Sequence, residues 1–260
     1  MPAFLHVVVG SGVPRYFRNA VESVLVQTSD NVLGIYNYVD SGDFRRATAL
    51  APKLSNPRLH LEFLANQNRT SSKTGSLYHA YNLAIDRAGD AYDFVHFVQA
   101  DMQLVSWGPH IERDVRGIFA RSGAAGAAPV LCVSTCFESR GKWTEQFSRN
   151  NVVFDVDLNC FVQKGVSMAD VGIFSTQVIK EHGIVFGGHE TDMQQQLSAL
   201  GFKMPKLRTP VSAFIPWPAT VRAGKIVGRQ RIRSYPDGQL LAVTGDYPSP
   251  DIFQNIWMEN

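Results

Sequence analysis

Residues 4–42 read FLHVVVGSGVPRYFRNAVESVLVQTSDNVLGIYNYVDSG, and this stretch decides the fold. Leu5 to Val9 is a short apolar run that ends in Gly10-Ser11-Gly12, as a buried strand does when it enters a tight turn. From Tyr16 to Gln27, Phe17, Ala20, Val21, Val24 and Leu25 recur at three-and-four spacing, which predicts an amphipathic helix. Val32 to Val39 returns to β-branched and aromatic residues and predicts a second strand, closed by Asp40 and Ser41.

The alternation continues outward. Leu59 to Phe63 and Phe94 to Val98 are strand-like, with a helical stretch from Gly75 to Arg87 between them. A helix from Trp107 to about Ser122 precedes a strand near Pro129 to Val133. Ser134 to Lys164 is polar and less regular than what precedes it. Gly172 to Phe174 predicts a strand, Thr176 to His182 a helix, and Glu190 to Leu200 a last helix stopped by Gly201. After Pro205 the tail is rich in Pro, Gly and Arg and reads as loops with short strands. Strands alternating with helices imply an α/β fold whose mixed, mostly parallel sheet is covered on both faces.

Composition sets the outer limits. Hydrophobic residues make up 45% of the 260 and charged residues 18%, enough for a large core and against global disorder. A net charge of +2 argues against a nucleic-acid partner. No run is long enough to cross a bilayer, and the apolar stretch Phe4 to Val9 is too short for a signal peptide. The three cysteines are odd in number, and Cys132 with Cys136 lacks zinc-site spacing. Buried thiols in a reducing compartment, and hence a cytoplasmic protein, are the expectation.

In an open parallel sheet, ligands bind beyond the carboxyl ends of the strands. Gly10, Ser11 and Gly12 follow the first strand, Asp40 and Ser41 the second, Gln99 and Asp101 the fourth, so polar groups gather at one edge. Gly10-Ser11-Gly12 does not complete a dinucleotide fingerprint, because Arg15 stands where its third glycine belongs; a tight turn explains both glycines. Asp40 suits a ribose or base contact and, equally, the cap of a following helix. Asp101, closing an apolar strand, suits a divalent cation that neutralises a leaving diphosphate, and also suits a solvated loop. Arg229, Arg231 and Arg233 alternate, so a strand would present them on one face. They fit a clamp on a diphosphate, an acidic acceptor, an anionic membrane surface or a solvated basic edge.

The stretch Ala20-Val21-Glu22-Ser23-Val24-Leu25-Val26-Gln27-Thr28 resembles the "ai-x-Sv-x-x-Qt" helix of family-two GT-A glycosyltransferases. Val39-Asp40-Ser41-Gly42 is similar to that family's nucleotide-binding "VDDGS", and Gly75, Ala80 and Asn82 to its "G…A-R-N" helix. Gln99-Ala100-Asp101 stands where the family carries Asp-x-Asp. Val171 to Phe174, then Gly183, Phe186 and His189-Glu190-Thr191-Asp192-Met193, resemble the acceptor-side segment ending in "E-D-x-D-L". The resemblance covers roughly residues 4–203.

It implies a Rossmann-like GT-A fold in three stretches: residues 1–105 holding the nucleotide sugar, 106–205 the acceptor half, and 206–260 a C-terminal tail. It implies an inverting, hexosyltransferase-type enzyme that uses a UDP-, GDP- or dTDP-sugar with Mn2+ or Mg2+. The acceptor would be a glycan, a lipid-linked molecule or a small molecule. Donor contacts would come from Gly10, Ser11, Asp40, Ser41, Gly75, Asn82, Gln99, Asp101 and Arg229, with Asp101 the metal ligand. Glu190 would be the catalytic base, with Asp192 sharing the role or holding the acceptor. Gln99 replaces an acid, and no histidine follows His189 to complete a metal site. These departures favour an alternative, a catalytically silent GT-A homologue that binds a nucleotide or glycan. A nucleotidyltransferase or dinucleotide-binding enzyme is a further alternative.

Overall fold

A computed structural model describes residues 3–12, 14–66, 75–100, 102–104, 106–124, 129–137, 152–163, 172–187, 190–207, 211–214, 220–222 and 225–227. The amino-terminal part alternates as its periodicity predicts. β1 (Phe4–Ser11) leads to α1 (Pro14–Gln27), β2 (Asn31–Tyr38), α2 (Ser41–Thr48) and a 3-10 turn at Ala51–Leu54. β3 (Leu59–Ala65), α3 (Gly75–Ala88), β4 (Phe94–Gln99) and β5 (Met102–Leu104) follow. Then come α4 (Pro109–Arg121), β6 (Cys132–Ser134), β7 (Cys136–Phe137), β8 (Val152–Asp155), β9 (Cys160–Gln163) and β10 (Gly172–Ser175). The chain continues with α5 (Thr176–Glu181), α6 (Glu190–Ala199) and the short strands β11 (Pro205–Lys206), β12 (Ser212–Phe214), β13 (Thr220–Arg222) and β14 (Lys225–Val227).

Among the described residues nine strands form one mixed sheet in the order β3-β2-β1-β4-β10-β6-β11-β9-β8. β3, β2, β1 and β4 are parallel, and β10 runs antiparallel to both β4 and β6. The β4–β10 pairing joins the two halves of the chain in a single sheet. A smaller sheet, β5-β12-β7, stands apart from it. Among the described residues no helix is long and apolar enough to cross a membrane.

β1 is buried from Phe4 to Gly10 because helices cover both its faces, which a parallel sheet requires. Phe4 and Val8 join α1 residues Phe17, Ala20, Val21 and Val24 in one core layer. Leu5, Val7 and Val9 join α3 residues Tyr78, Tyr81, Ala84 and Ile85 in the other. Phe17 lies so close to the sheet that a Cβ on Gly34 would come within 2.9 Å of its Cζ and 2.7 Å of Leu61 Cδ2. Cys132 and Cys160 are free, buried thiols, and burial pushes the Cys160 thiol up to about 11.

The less regular stretch Ser134 to Lys164 contains β7 and the antiparallel β8–β9 hairpin. Its turn reaches a left-handed backbone at Asn159 (φ 49°), a conformation asparagine tolerates. The strands are only four residues each, and their apolar residues are interrupted by Asp155, Asp157 and Asn159, so no long period marks them. The alternating Arg229, Arg231 and Arg233 lie outside the described residues.

Candidate active site

The carboxyl ends of β1, β2 and β4 meet at one edge because these strands are parallel neighbours in register. Ser11 pairs with Asn37, and Val9 with Gln99. Gly10 is required there by close approach. A Cβ at that position would lie 2.8 Å from Phe17 Cδ2 and 2.9 Å from Ala100 Cβ. Ser11 is exposed, and its hydroxyl donates to the Asn37 carbonyl at 2.7 Å, tying the two strand ends together. The chain leaves β1 through Gly12, whose φ of 70° suits glycine, and α1 begins at Pro14. Gln99 is half-buried, and the Ala100 amide returns a hydrogen bond to Val9 O at 2.8 Å. Asp101, between Ala100 and the start of β5, lies outside the described residues.

At the end of β2, Asp40 caps α2. Its Oδ1 accepts the Asp43 amide at 2.7 Å, and that hydrogen bond holds the exposed carboxyl below its usual range. Ser41, the first residue of the helix, is exposed. Asp43 reaches back in return. It is fully buried, and its Oδ1 accepts the Tyr36 hydroxyl at 2.8 Å while Oδ2 accepts the Val39 amide at 3.0 Å. Burial, with the Asp43 carboxylate beside it, pushes the Tyr36 phenol far above its usual range, so it remains a donor. Sequence reasoning missed Asp43. The available signal was an acid three residues beyond a capping aspartate, close to a capping-box pattern.

Gly75 opens α3. Asn82, in the same helix, is committed to the backbone of Phe186: its Nδ2 donates to the carbonyl at 2.8 Å and its Oδ1 accepts the amide at 2.9 Å. The Phe186 ring lies among Tyr78, Tyr81, Phe97 and Phe174, so this clip fixes the segment that leads to α6. Glu190 and Asp192 occupy the first and third positions of α6. Leu197 lines a small apolar void with Leu131, Cys132 and Phe174, level with the amino end of β6. Glu190 precedes it by seven residues, about 10 Å of helix.

The site thus gathers hydrogen-bonding groups at strand ends and the amino end of a helix. Among the described residues no group of three or more His, Cys, Asp or Glu side chains is arranged to hold a metal. Arg229 lies outside the described residues.

Known structures share this architecture. The fold is similar to that of S. aureus TarS. TarS matches in a crystal structure of its residues 1–349 with a TM-score of 0.50 and 14% sequence identity. The match covers 82% of this chain and 60% of that one. A second S. aureus TarS structure matches with the same TM-score and identity over 82% of this chain and 36% of its own. The chain therefore spans less than two thirds of either TarS structure. No protein-family model matches the sequence, and no curated protein does. At this identity the likeness shows a shared fold, a large mixed α/β sheet flanked by helices.

Proposed function

We propose that the protein is a glycosyltransferase that moves a sugar from a nucleotide-diphosphate donor to an acceptor hydroxyl with inversion. The observation that supports this most is the convergence of Ser11, Asp40 and Gln99 at one carboxyl edge of four parallel strands. The likeness to the TarS fold supports the same reading.

On this reading Gly10, Ser11, Asp40, Ser41, Gly75 and Gln99 contact the donor, and Asp40 and Gln99 supply hydrogen bonds to its nucleoside. Arg229 pairs with the diphosphate. Asn82 serves the site through the Phe186 segment. Asp101 would hold Mn2+ or Mg2+, which would supply charge neutralisation for the departing diphosphate. Glu190 takes the proton of the acceptor hydroxyl as its oxygen bonds to the anomeric carbon and the bond from that carbon to the diphosphate breaks. Asp192 orients the acceptor. A glycan, a lipid-linked molecule or a small molecule presents such a hydroxyl.

Calorimetric titration of UDP, GDP, dTDP and CMP, with and without manganese, tests the proposal. Tight binding of one diphosphate, strengthened by manganese and weakened in Asp101→Ala, is expected. Failure of every nucleotide to bind overturns it.

A further inference from the structure

We propose that Asp43 is a positioning residue for nucleotide binding, acting by holding the Asp40 loop in its binding geometry; this rests on the donor-site reading above. A carboxylate withdrawn fully from water is costly unless its oxygens are paired, and Asp43 is the one acid among the described residues with no exposed surface. Both oxygens are used locally. Oδ1 takes the Tyr36 hydroxyl, with Arg46 Nη2 3.5 Å away, and Oδ2 takes the Val39 amide. These partners stand on opposite sides of the strand-to-helix junction. Tyr36 belongs to β2 and is anchored by its edge-on contact with Phe17, 5.2 Å between ring centroids.

Val39-Asp40-Ser41-Gly42 is therefore held at both ends. The Asp43 side chain fixes Val39 ahead of Asp40, and the Asp43 amide fixes the Asp40 side chain itself. The loop has little slack, since a Cβ on Gly42 would already stand 3.2 Å from Asp40 Oδ1. A helix cap alone needs only the Asp40 bond to the Asp43 amide. The two bonds made by the Asp43 carboxylate go beyond that bond, and they fix the direction in which Asp40 leaves the sheet edge. Ordering of that kind before a ligand arrives lowers the cost of binding it.

The test is a double-mutant cycle in the full chain, with the affinities of UDP, GDP, dTDP and CMP measured calorimetrically in manganese and thermal unfolding recorded for every variant. The expected result is that Asp40→Ala and Asp43→Ala each weaken the nucleotide bound by the wild type about ten- to a hundredfold, the scale of a lost charge-assisted hydrogen bond. The double variant should be no weaker than the worse single one, because both changes remove the same loop geometry. Tyr36→Phe deletes one anchor while leaving the cap and the Val39 bond. It should weaken binding by roughly three- to tenfold, and it decides the matter if Asp43→Ala does not fold. Wild-type affinity in folded Asp43→Ala or in Tyr36→Phe, or losses that simply multiply in the double variant, overturn the positioning role while leaving the donor site standing. A wild type that binds none of the four nucleotides overturns the donor site and this proposal together.

Discussion

His6 and His96 face each other across the β1–β4 pair with their Nδ1 atoms 3.0 Å apart, and both rings are fully buried. Two nitrogens at that distance share one proton. The rest of the chain sets its place: Asp30 Oδ2 lies 3.3 Å from His6 Nε2, and Thr135 Oγ1 lies 3.3 Å from His96 Nε2. Burial would raise the Asp30 carboxyl, but hydrogen bonds from His6 and Thr28 hold it below its usual range, so it is an anion that accepts. His6 thus carries its proton on Nε2 and His96 on Nδ1, and Thr135 donates to His96. Both rings are neutral in this order.

Burial holds both histidines below the ordinary 6.5, outweighing the pull of Asp30 and Glu112 on His6, while Arg58 acts in the same direction as burial. The unfolded chain therefore binds more protons than the folded one once pH drops below 6.5. The stability associated with the neutral pair is complete above that value and is lost as pH falls toward the lowered folded values. The loss reaches at most about 1.4 kcal/mol per pH unit for each ring. Thermal unfolding followed from pH 7.5 to 5 should show the midpoint falling. His96→Gln keeps a donor and an acceptor without a titrating ring, and its slope should be shallower. Equal slopes for the two proteins would exclude the pair as the source.

Gly10 and Gly12 should respond oppositely to substitution. Gly10→Ala forces a methyl against Phe17 and Ala100, an overpacked contact that costs about 1–3 kcal/mol and displaces the residue beside Gln99. Gly12 has open space around its missing Cβ and only its φ of 70° to satisfy, so Gly12→Asn should stay within about 1 kcal/mol of the wild type. Denaturant unfolding of the two variants measures both. A Gly10→Ala protein as stable as Gly12→Asn would mean that α1 can move off the sheet.

These contrasts mark how far the sequence could be read. The longer strands and helices up to Gln99 were legible because their apolar residues keep one period for a whole element, as Phe17 to Leu25 do, whereas the short α2 and the 3-10 turn at Ala51–Leu54 carry no such run. The sheet edge was legible because strand ends carry Gly10, Asp40 and Gln99. Asp43 was not, since its burial depends on a tyrosine seven residues earlier and on a backbone amide, neither of which leaves a spacing signal. His6 and His96 each interrupt an apolar run and stand ninety positions apart, so only strand pairing reveals that they are partners. The β8–β9 hairpin was hidden by the shortness of its strands.

Asn82 should act on the acceptor side of the site. Its amide makes two hydrogen bonds to Phe186, and Asn82→Ala leaves that backbone pair without its partner at a cost of about 1–3 kcal/mol. Hydrogen exchange at the Phe186 amide should quicken. Nucleotide affinity should change little while sugar transfer falls, because the loosened segment leads to Glu190. A loss of nucleotide affinity that matches the loss of transfer would return Asn82 to the donor side.

Glu190 is subject to two physical demands that one substitution separates. At the first position of α6 a carboxylate is favoured by the helix dipole, and removing its charge costs about 0.3–1 kcal/mol. As the proposed general base it should contribute on the order of 10²–10⁴-fold to rate. Glu190→Gln keeps size and polarity, so folding should survive with a small fall in melting temperature. Nucleotide binding, with its enhancement by manganese, should be unchanged. Transfer should fall by the larger factor, measured as release of the nucleoside diphosphate in the presence of acceptor. Asp101→Ala should show the reverse division, losing the manganese enhancement of binding along with activity. Full transfer by Glu190→Gln would reduce that residue to a helix charge, and the proton acceptor would then have to be sought at Asp192.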